Sequence, residues 1–136
     1  MGRFLAIDFG EKRIGLALSD PMKIIAKPFK TIFYSNQNDL INKIALIIKD
    51  EKIEKIILGL PKGLKGNNTS QTNIVIEFYK YIKDKIDTPI VMEDERLSSV
   101  SAKKSLILQD IKTGHNKALI DETAAAIFLQ LYLDKN

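Results

Sequence analysis

The stretch Leu5-Ala-Ile-Asp-Phe-Gly-Glu-Lys-Arg-Ile-Gly-Leu-Ala-Leu-Ser-Asp20 sets an acid at the tip of an apolar strand and then turns the chain straight back. Residues 3 to 7 read as a strand and 10 to 12 as a tight turn. Residues 13 to 19 read as the return strand, where Ile14, Leu16 and Leu18 alternate with small or polar residues. The product is an antiparallel hairpin with Asp8 where the sheet opens to solvent. Gly10 lets the backbone turn closely enough for a phosphate or a metal ion to approach. Asp8 and Gly10 serve equally well as turn formers, so the hairpin nominates Asp8 without assigning it a role.

Outward from the hairpin, 136 residues suit one domain with a substantial core. A composition of 45% hydrophobic and 28% charged residues is that of a folded globular chain. The absence of cysteine excludes disulfides, thiolate catalysis and Cys-ligated zinc. No apolar run approaches the length of a bilayer span, and Asp8 interrupts any signal-peptide core, so the expectation is a cytoplasmic protein with no membrane partner. The net charge of +4 permits a nucleic-acid partner without demanding one.

Ile24 to Phe33 is rich in β-formers but interrupted by Pro28, which predicts an edge strand or two short pieces as the third antiparallel strand. Asn36 caps a predicted helix over 37–50, in which Leu40, Ile44, Ile47 and Ile48 recur at helical spacing. Ile56 to Leu58 form a short buried strand ended by Gly59 and Pro61. A polar loop from Lys62 to Asn68 precedes a helix from about Thr69 to Lys85, with Ile74, Phe78 and Ile82 on one face. Pro89 to Met92 make a fifth strand, taken as buried. Two helices, 99–109 and 117–133, joined by a loop over 110–116, close the chain. The fold class is therefore α/β: a mixed five-stranded sheet, three antiparallel strands and then parallel right-handed crossovers, flanked by helices. Strands one, four and five would end together at the carboxyl edge, where open α/β sheets bind ligands.

Three acidic candidates stand out, two of them at that edge. Asp8 is one. The cluster Met92-Glu-Asp-Glu-Arg96 is another, and its carboxylates repel unless water, a cation or Arg96 compensates. Alternation puts Glu93 and Glu95 on one face and Asp94 on the other; the same residues read as a solvated strand end feeding a helix capped by Ser98 or Ser99. Asp121, early in Lys117-Ala-Leu-Ile-Asp-Glu-Thr-Ala-Ala-Ala-Ile127, is the third. Its three following alanines allow close packing on the sheet, and its other reading is a helix cap or a dipole partner. Phosphodiester hydrolysis by two Mg²⁺ ions about 3.5 to 4 Å apart draws carboxylates from separate elements. Magnesium keeps several waters, so Asp8, Glu95 and Asp121 form a sufficient candidate set.

Lys62, Lys65, Lys103, Lys104, Lys112 and Lys117 lie in or near these segments as counter-charges for phosphates. Lys49, Lys52 and Lys55 alternate with acids, as a solvated helix end and connector would. The loop Gly59 to Thr72 lacks the Gly-Lys-Ser/Thr ending of an ATP-binding loop. Its glycines and a helix amino end after Asn67 or Asn68 offer N–H groups to a nucleic-acid phosphate, or simply a turn and a cap. His115, the single histidine, reads as a surface loop residue.

Four stretches, AIDFGEKRIGLALSD (6–20), GLPKGLKGNNTSQT (59–72), EDERLSSVSAKKSL (93–106) and ALIDETAAAIFLQLYLD (118–134), resemble in order and spacing the YqgF-type, RuvX-like family of pre-16S rRNA nucleases, relatives of Holliday junction resolvases. The resemblance covers nearly the whole chain and implies that residues 1–136 form one RNase H-like nuclease domain. It implies catalytic, metal-binding roles for Asp8, Glu95 and Asp121 toward Mg²⁺ or Mn²⁺. It also implies hydrolysis of phosphodiester bonds in maturing the 5′ end of pre-16S rRNA, with ribosomal particles as partners. Arg13, Lys62, Lys65, Asn67, Arg96, Lys104 and Lys117 are the residues expected to hold nucleic acid. The resolvase kinship leaves branched DNA as the alternative substrate and a homodimer as the alternative to a monomer. A non-catalytic RNA- or ribosome-binding module is a further alternative. Glu122 departs from the family, which carries a small residue after the last Asp. The Asp-x-Gly hairpin also resembles that of actin-like kinases, but 136 residues leave no room for a second lobe.

Overall fold

The computed structural model describes residues 2–63, 65–94 and 117–135, the last stretch with side chains from Ile120 onward. The elements are β1 (Arg3–Phe9), β2 (Arg13–Ser19), β3 (Ala26–Phe33), α1 (Gln37–Asp50), β4 (Ile53–Leu60), α2 (Ser70–Lys85), β5 (Ile90–Asp94) and α3 (Lys117–Lys135). They build one five-stranded sheet in the order β3-β2-β1-β4-β5. The pairs β1/β2 and β2/β3 are antiparallel, and β1/β4 and β4/β5 are parallel. The predicted helix over 99–109 and loop over 110–116 lie outside the described residues.

Strand alternation divides the core into two layers. Leu5, Ile7, Ile14, Leu16, Ile56 and Leu58 face one way and pack with Leu40 and Ile44 of α1 and Phe78 and Ile82 of α2. Ala6, Ala17 and Ile57 face the other way and meet Ala125, Ala126, Phe128 and Leu129 of α3. Each fully buried large side chain in these layers contributes roughly 1.5–3 kcal/mol. Ala6 and Ala17, with Gly15 beside them, keep the sheet side of this second layer low, and that lets α3 come down close.

The local signals explain the boundaries. Asn36 caps α1 by accepting from the Asp39 N–H. Pro28 sits on the edge strand β3, beside an irregularity at Leu16/Ala17 where the ladder can dispense with its missing donor.

Four expectations need correction. β4 is longer than Ile56 to Leu58, because buried Ile53 pairs with Arg3 and carries the strand back to the end of α1. β5 runs from Ile90 to Asp94 and is an edge strand with half-buried and exposed residues, not a buried one. On α2 the buried stripe is Thr72, Val75, Phe78 and Ile82, and Ile74 lies at its margin, partly exposed. Lys55 is not a simple surface residue. Its Nζ lies 2.6 Å from the Tyr132 hydroxyl and over the rings of Phe4 and Tyr132.

Candidate active site

Asp8 lies one residue before the end of β1, directly opposite Gly15 on β2, and Gly15 is in turn opposite Thr31 on β3. Residues in one such row project to the same face. Asp8 is two residues beyond Ala6, so this is the face that α3 covers. Gly15 leaves a gap in the row, and α3 fills it with main chain. A Cβ built on Gly15 would fall 2.6 Å from the carbonyl oxygen of Asp121 and 2.7 Å from its Cβ. Asp121 is thereby set on the same face of the sheet as Asp8, one strand over.

Asp121 is more than one turn inside α3, so it does not cap the helix. Its Oδ2 accepts from the Nε–H of Arg13 at 2.6 Å. Arg13 opens β2 and shares the α3 face with Gly15 and Ala17. Arg13, which the sequence marks as a nucleic-acid contact, is thus bound here to a second candidate residue, Asp121. Glu122, the departure from the family pattern, accepts from the Thr31 hydroxyl at 3.0 Å. Thr31 is on the far side of Gly15 from Asp8, so Glu122 points its charge away from the Asp8 side of the row.

The tip of the hairpin beside Asp8 is held from the other face. Phe9 stacks on Phe78 with centroids 4.3 Å apart. The Tyr34 hydroxyl donates to the carbonyl of Gly10, and the Tyr34 N–H donates to that of Lys12. Burial, followed by the charge of Glu11, pushes the Tyr34 phenol above its usual range, so it stays a donor.

Across the sheet, Ile7 pairs with Leu58 and Leu58 with Met92; one step further Gly59 pairs with Glu93. Glu93 therefore continues the row of Asp8 two strands away, with side-chain-free Gly59 between. Its carboxylate is 2.6 Å from Lys135 Nζ, which relieves part of the repulsion expected in the acidic cluster. Asp94 alternates to the opposite face, as read from the sequence. Glu95, Arg96, Lys103, Lys104, Lys112 and His115 lie outside the described residues, as does the side chain of Lys117. The structure thus brings Asp8 and Asp121 together, with Glu93 farther along the row. Among the described residues no group of three or more acids or histidines gathers tightly enough to hold a metal ion.

The loop after β4 is built around two threonines. Thr69, not Asn67 or Asn68, caps α2, because its hydroxyl accepts from the Thr72 N–H while the Thr72 hydroxyl accepts from the Thr69 N–H. The fully buried Thr72 hydroxyl also donates to the Pro61 carbonyl, tying the exit of β4 to the start of α2. Between them Gly63 N–H donates to the Asn67 carbonyl, and Gly66 adopts φ 85°, a left-handed conformation that favours glycine. Asn67 lies over Gly63, where a Cβ would come within 2.8 Å of its Cγ. Its first task is to close the loop. Lys62 and Lys65 stand on that loop without an acid partner among the described residues.

Sequence reasoning missed Gly15 and Thr31. The signal for Gly15 was present: once the hairpin is centred between Glu11 and Lys12, Gly15 falls opposite Asp8. No local pattern announces that a helix more than a hundred residues away rests there.

The chain matches the family model described as "RuvX: Holliday junction resolvase" over residues 2–135. A protein of Desulforamulus reducens named "Putative pre-16S rRNA nuclease" is 42% identical over 132 residues, spanning 97% of this chain and 96% of its own. One of the same name from Roseiflexus sp. is 39% identical over 133 residues, spanning 98% and 94%. Among solved structures, RuvC of T. thermophilus in complex with a Holliday junction substrate superposes with a TM-score of 0.59 at 12% identity, over 98% of this chain and 94% of that one. The Fowlpox virus resolvase with Holliday junction DNA gives 0.59 at 14% identity, over 98% and 97%. At such identities these structures speak to the fold, which is the RuvC-type, RNase H-like architecture expected from the sequence resemblance. With a family model matched from end to end and relatives near 40% identity over almost their whole length, the chain belongs to the RuvX family.

Proposed function

We propose that this protein is a divalent-metal-dependent endonuclease that hydrolyses phosphodiester bonds in maturing the 5′ end of pre-16S rRNA in the cytoplasm. The observation that carries the reading is the seating of Asp121 on Gly15, opposite Asp8. It draws two carboxylates from distant parts of the chain to one end of the sheet. Their oxygen donors, from a strand and a helix, suit Mg²⁺ or Mn²⁺, and Glu95 follows directly on β5 as the third candidate ligand. A divalent ion held there would supply an activated water and a counter-charge for the leaving oxygen.

The remaining steps belong to the chain. Asp8 and Asp121 present hard oxygens from elements fixed by the hairpin and by the contact at Gly15. Lys62 and Lys65, on a loop whose two ends are tied by Thr72, bind backbone phosphates. Arg13, Arg96, Lys104 and Lys117 are assigned to further phosphates, and Asn67 supports them by closing the loop. No helix among the described residues is long and apolar enough to cross a membrane. The name carried by the relatives favours pre-16S rRNA as substrate, in naked form or on a ribosomal particle. The family description favours a second reading, cleavage of branched DNA, which would require a homodimer to cut two strands.

The test is cleavage of end-labelled pre-16S 5′-leader RNA and of a four-way DNA junction by wild type and Asp8→Asn, with Mg²⁺, Mn²⁺ or EDTA. Metal-dependent cutting of the RNA by wild type alone is expected. Cutting of the junction alone would select the second reading. Failure to cut either, on naked nucleic acid or on ribosomal particles, would turn the assignment to a non-catalytic RNA-binding module.

A further inference from the structure

Arg13 holds the acid that a cation needs. Its Nε–H donates to Asp121 Oδ2 at 2.6 Å, and both side chains keep access to water, 33% and 25% exposed. A hydrated pair of this kind contributes little stability and exchanges readily. Arg13 uses only Nε here, and its two Nη groups have no hydrogen-bond partner among the described residues. The neighbouring Glu122 accepts from the Thr31 hydroxyl instead.

The guanidinium opposes a divalent ion at Asp121 in two ways. It occupies a carboxylate oxygen, and it sets a positive charge beside the place where another would bind. Repulsion between a divalent ion and a guanidinium a few ångströms apart in a half-solvated site exceeds what an exposed ion pair contributes. A phosphodiester removes the conflict, because its paired oxygens match the planar fork of arginine. Phosphate drawing Arg13 away and a cation taking its place on Asp121 are displacements in the same direction.

We propose that Arg13 is exchanged between Asp121 and a substrate phosphate, so that nucleic acid and divalent cation bind this site cooperatively. The proposal rests on the nuclease reading above and adds a condition to it: without nucleic acid, Arg13 shields Asp121 from metal ions. By linkage, the factor by which nucleic acid raises cation affinity equals that by which the cation raises nucleic-acid affinity.

The test is calorimetric titration of Mn²⁺ into the nucleic-acid-free protein, as wild type, Arg13→Gln, Asp8→Asn and the double variant. A parallel arm measures binding of fluorescent 5′-leader RNA with and without Ca²⁺ as an oxygen-seeking stand-in. Arg13→Gln is expected to bind Mn²⁺ about tenfold more tightly than wild type, about 1.4 kcal/mol, and to lose most of the Ca²⁺ dependence of RNA affinity. Unchanged or weaker Mn²⁺ binding by Arg13→Gln would overturn the exchange, because Arg13 would then be orienting Asp121 rather than competing for it. Arg13→Lys keeps the charge, and with it the fold, but lacks the fork. Its RNA affinity is expected to lose at least half of the Ca²⁺ enhancement, and full retention would overturn the proposal. The Asp8 variants separate the two levels. Mn²⁺ binding that ignores Asp8 in both backgrounds overturns the nuclease site itself, whereas binding that needs Asp8 but ignores Arg13 overturns only the exchange.

Discussion

The main chain of Asp121 occupies the space that a side chain on Gly15 would fill, within 2.6 Å of an ideal Cβ at that glycine. A backbone segment cannot step aside as the end of a flexible side chain can. Gly15→Ala should therefore lift α3 and carry Asp121 away from Asp8. Overpacking of this kind costs roughly 1–3 kcal/mol, a fall in Tm of about 3 to 10 °C for a chain of this size. Cleavage should fall about a hundredfold, since a misplacement of about 1 Å can cost that much. Thermal unfolding and single-turnover cleavage check both; a Gly15→Ala protein with wild-type Tm and rate would show that the contact positions nothing.

Asp121 and Glu122 are neighbours with opposite fates. Asp121 is bound to Arg13 of β2, the strand paired with that of Asp8, and Glu122 is bound to Thr31 of β3. Asp121→Asn should remove cleavage. Glu122→Gln, which can still accept from the hydroxyl, should keep the rate within about twofold and cost at most about 1 kcal/mol, the usual size of one hydrogen bond. A large drop in rate in Glu122→Gln would place that residue in the chemistry.

Much of this arrangement was legible in the sequence. The hairpin, the Asn36 cap and the edge strand around Pro28 rest on local physics: period-two alternation, a short polar cap, a missing donor. That strands one, four and five end near one another followed from the crossovers expected after the antiparallel strands. What stayed hidden were pairings made only by the folded chain. That Arg13 is bound to Asp121 stayed hidden because the two are 108 residues apart. Lys55 looks like surface because the rings that receive it belong to β1 and α3. The strand after residue 89 reads as buried because Ile90 and Val91 are apolar, yet it is an edge strand whose Glu93 needs Lys135.

Lys62 and Lys65 bear on the nucleic-acid partner through salt. If both touch phosphates, a plot of log affinity for leader RNA against log salt should become shallower in the double alanine variant, by about 0.7 for each phosphate of a single strand that is no longer neutralised. Binding should weaken to a similar extent for unrelated sequences, because interactions with phosphate carry no base information. Fluorescence anisotropy over a range of salt measures it, and an unchanged slope would remove these lysines from the interface.

Asp20 gives a prediction in pH. Backbone N–H groups of Ile25 and Ile24, followed by that of Met22, donate to its carboxylate and hold it below the ordinary aspartate range. The folded state thus favours the ionised form. Its contribution is present in full above the ordinary aspartate value and is lost as the pH falls through the lowered one. Asp20→Asn should narrow the stability gap between neutral and strongly acidic pH, measured by denaturant midpoints. An identical acid limb in the variant would show that the turn between β2 and β3 does not sense the charge.

The last helix lies over the sheet like a beam on two bearings. Near one end it is fixed by Arg13 and Thr31, and near the other by Lys55 against Tyr132 and Lys135 against Glu93. From Asp121 to Tyr132 is about 16 Å of helix. A rigid beam tilts at one bearing when the other is shimmed, so the seat of Tyr132 on Lys55 and Phe4, near the starts of β4 and β1, is a place from which the alignment of Asp121 with Asp8 can be trimmed. Exchanging the rings and the ammonium of that distant bearing offers a graded adjustment of the site that leaves both of those acids untouched.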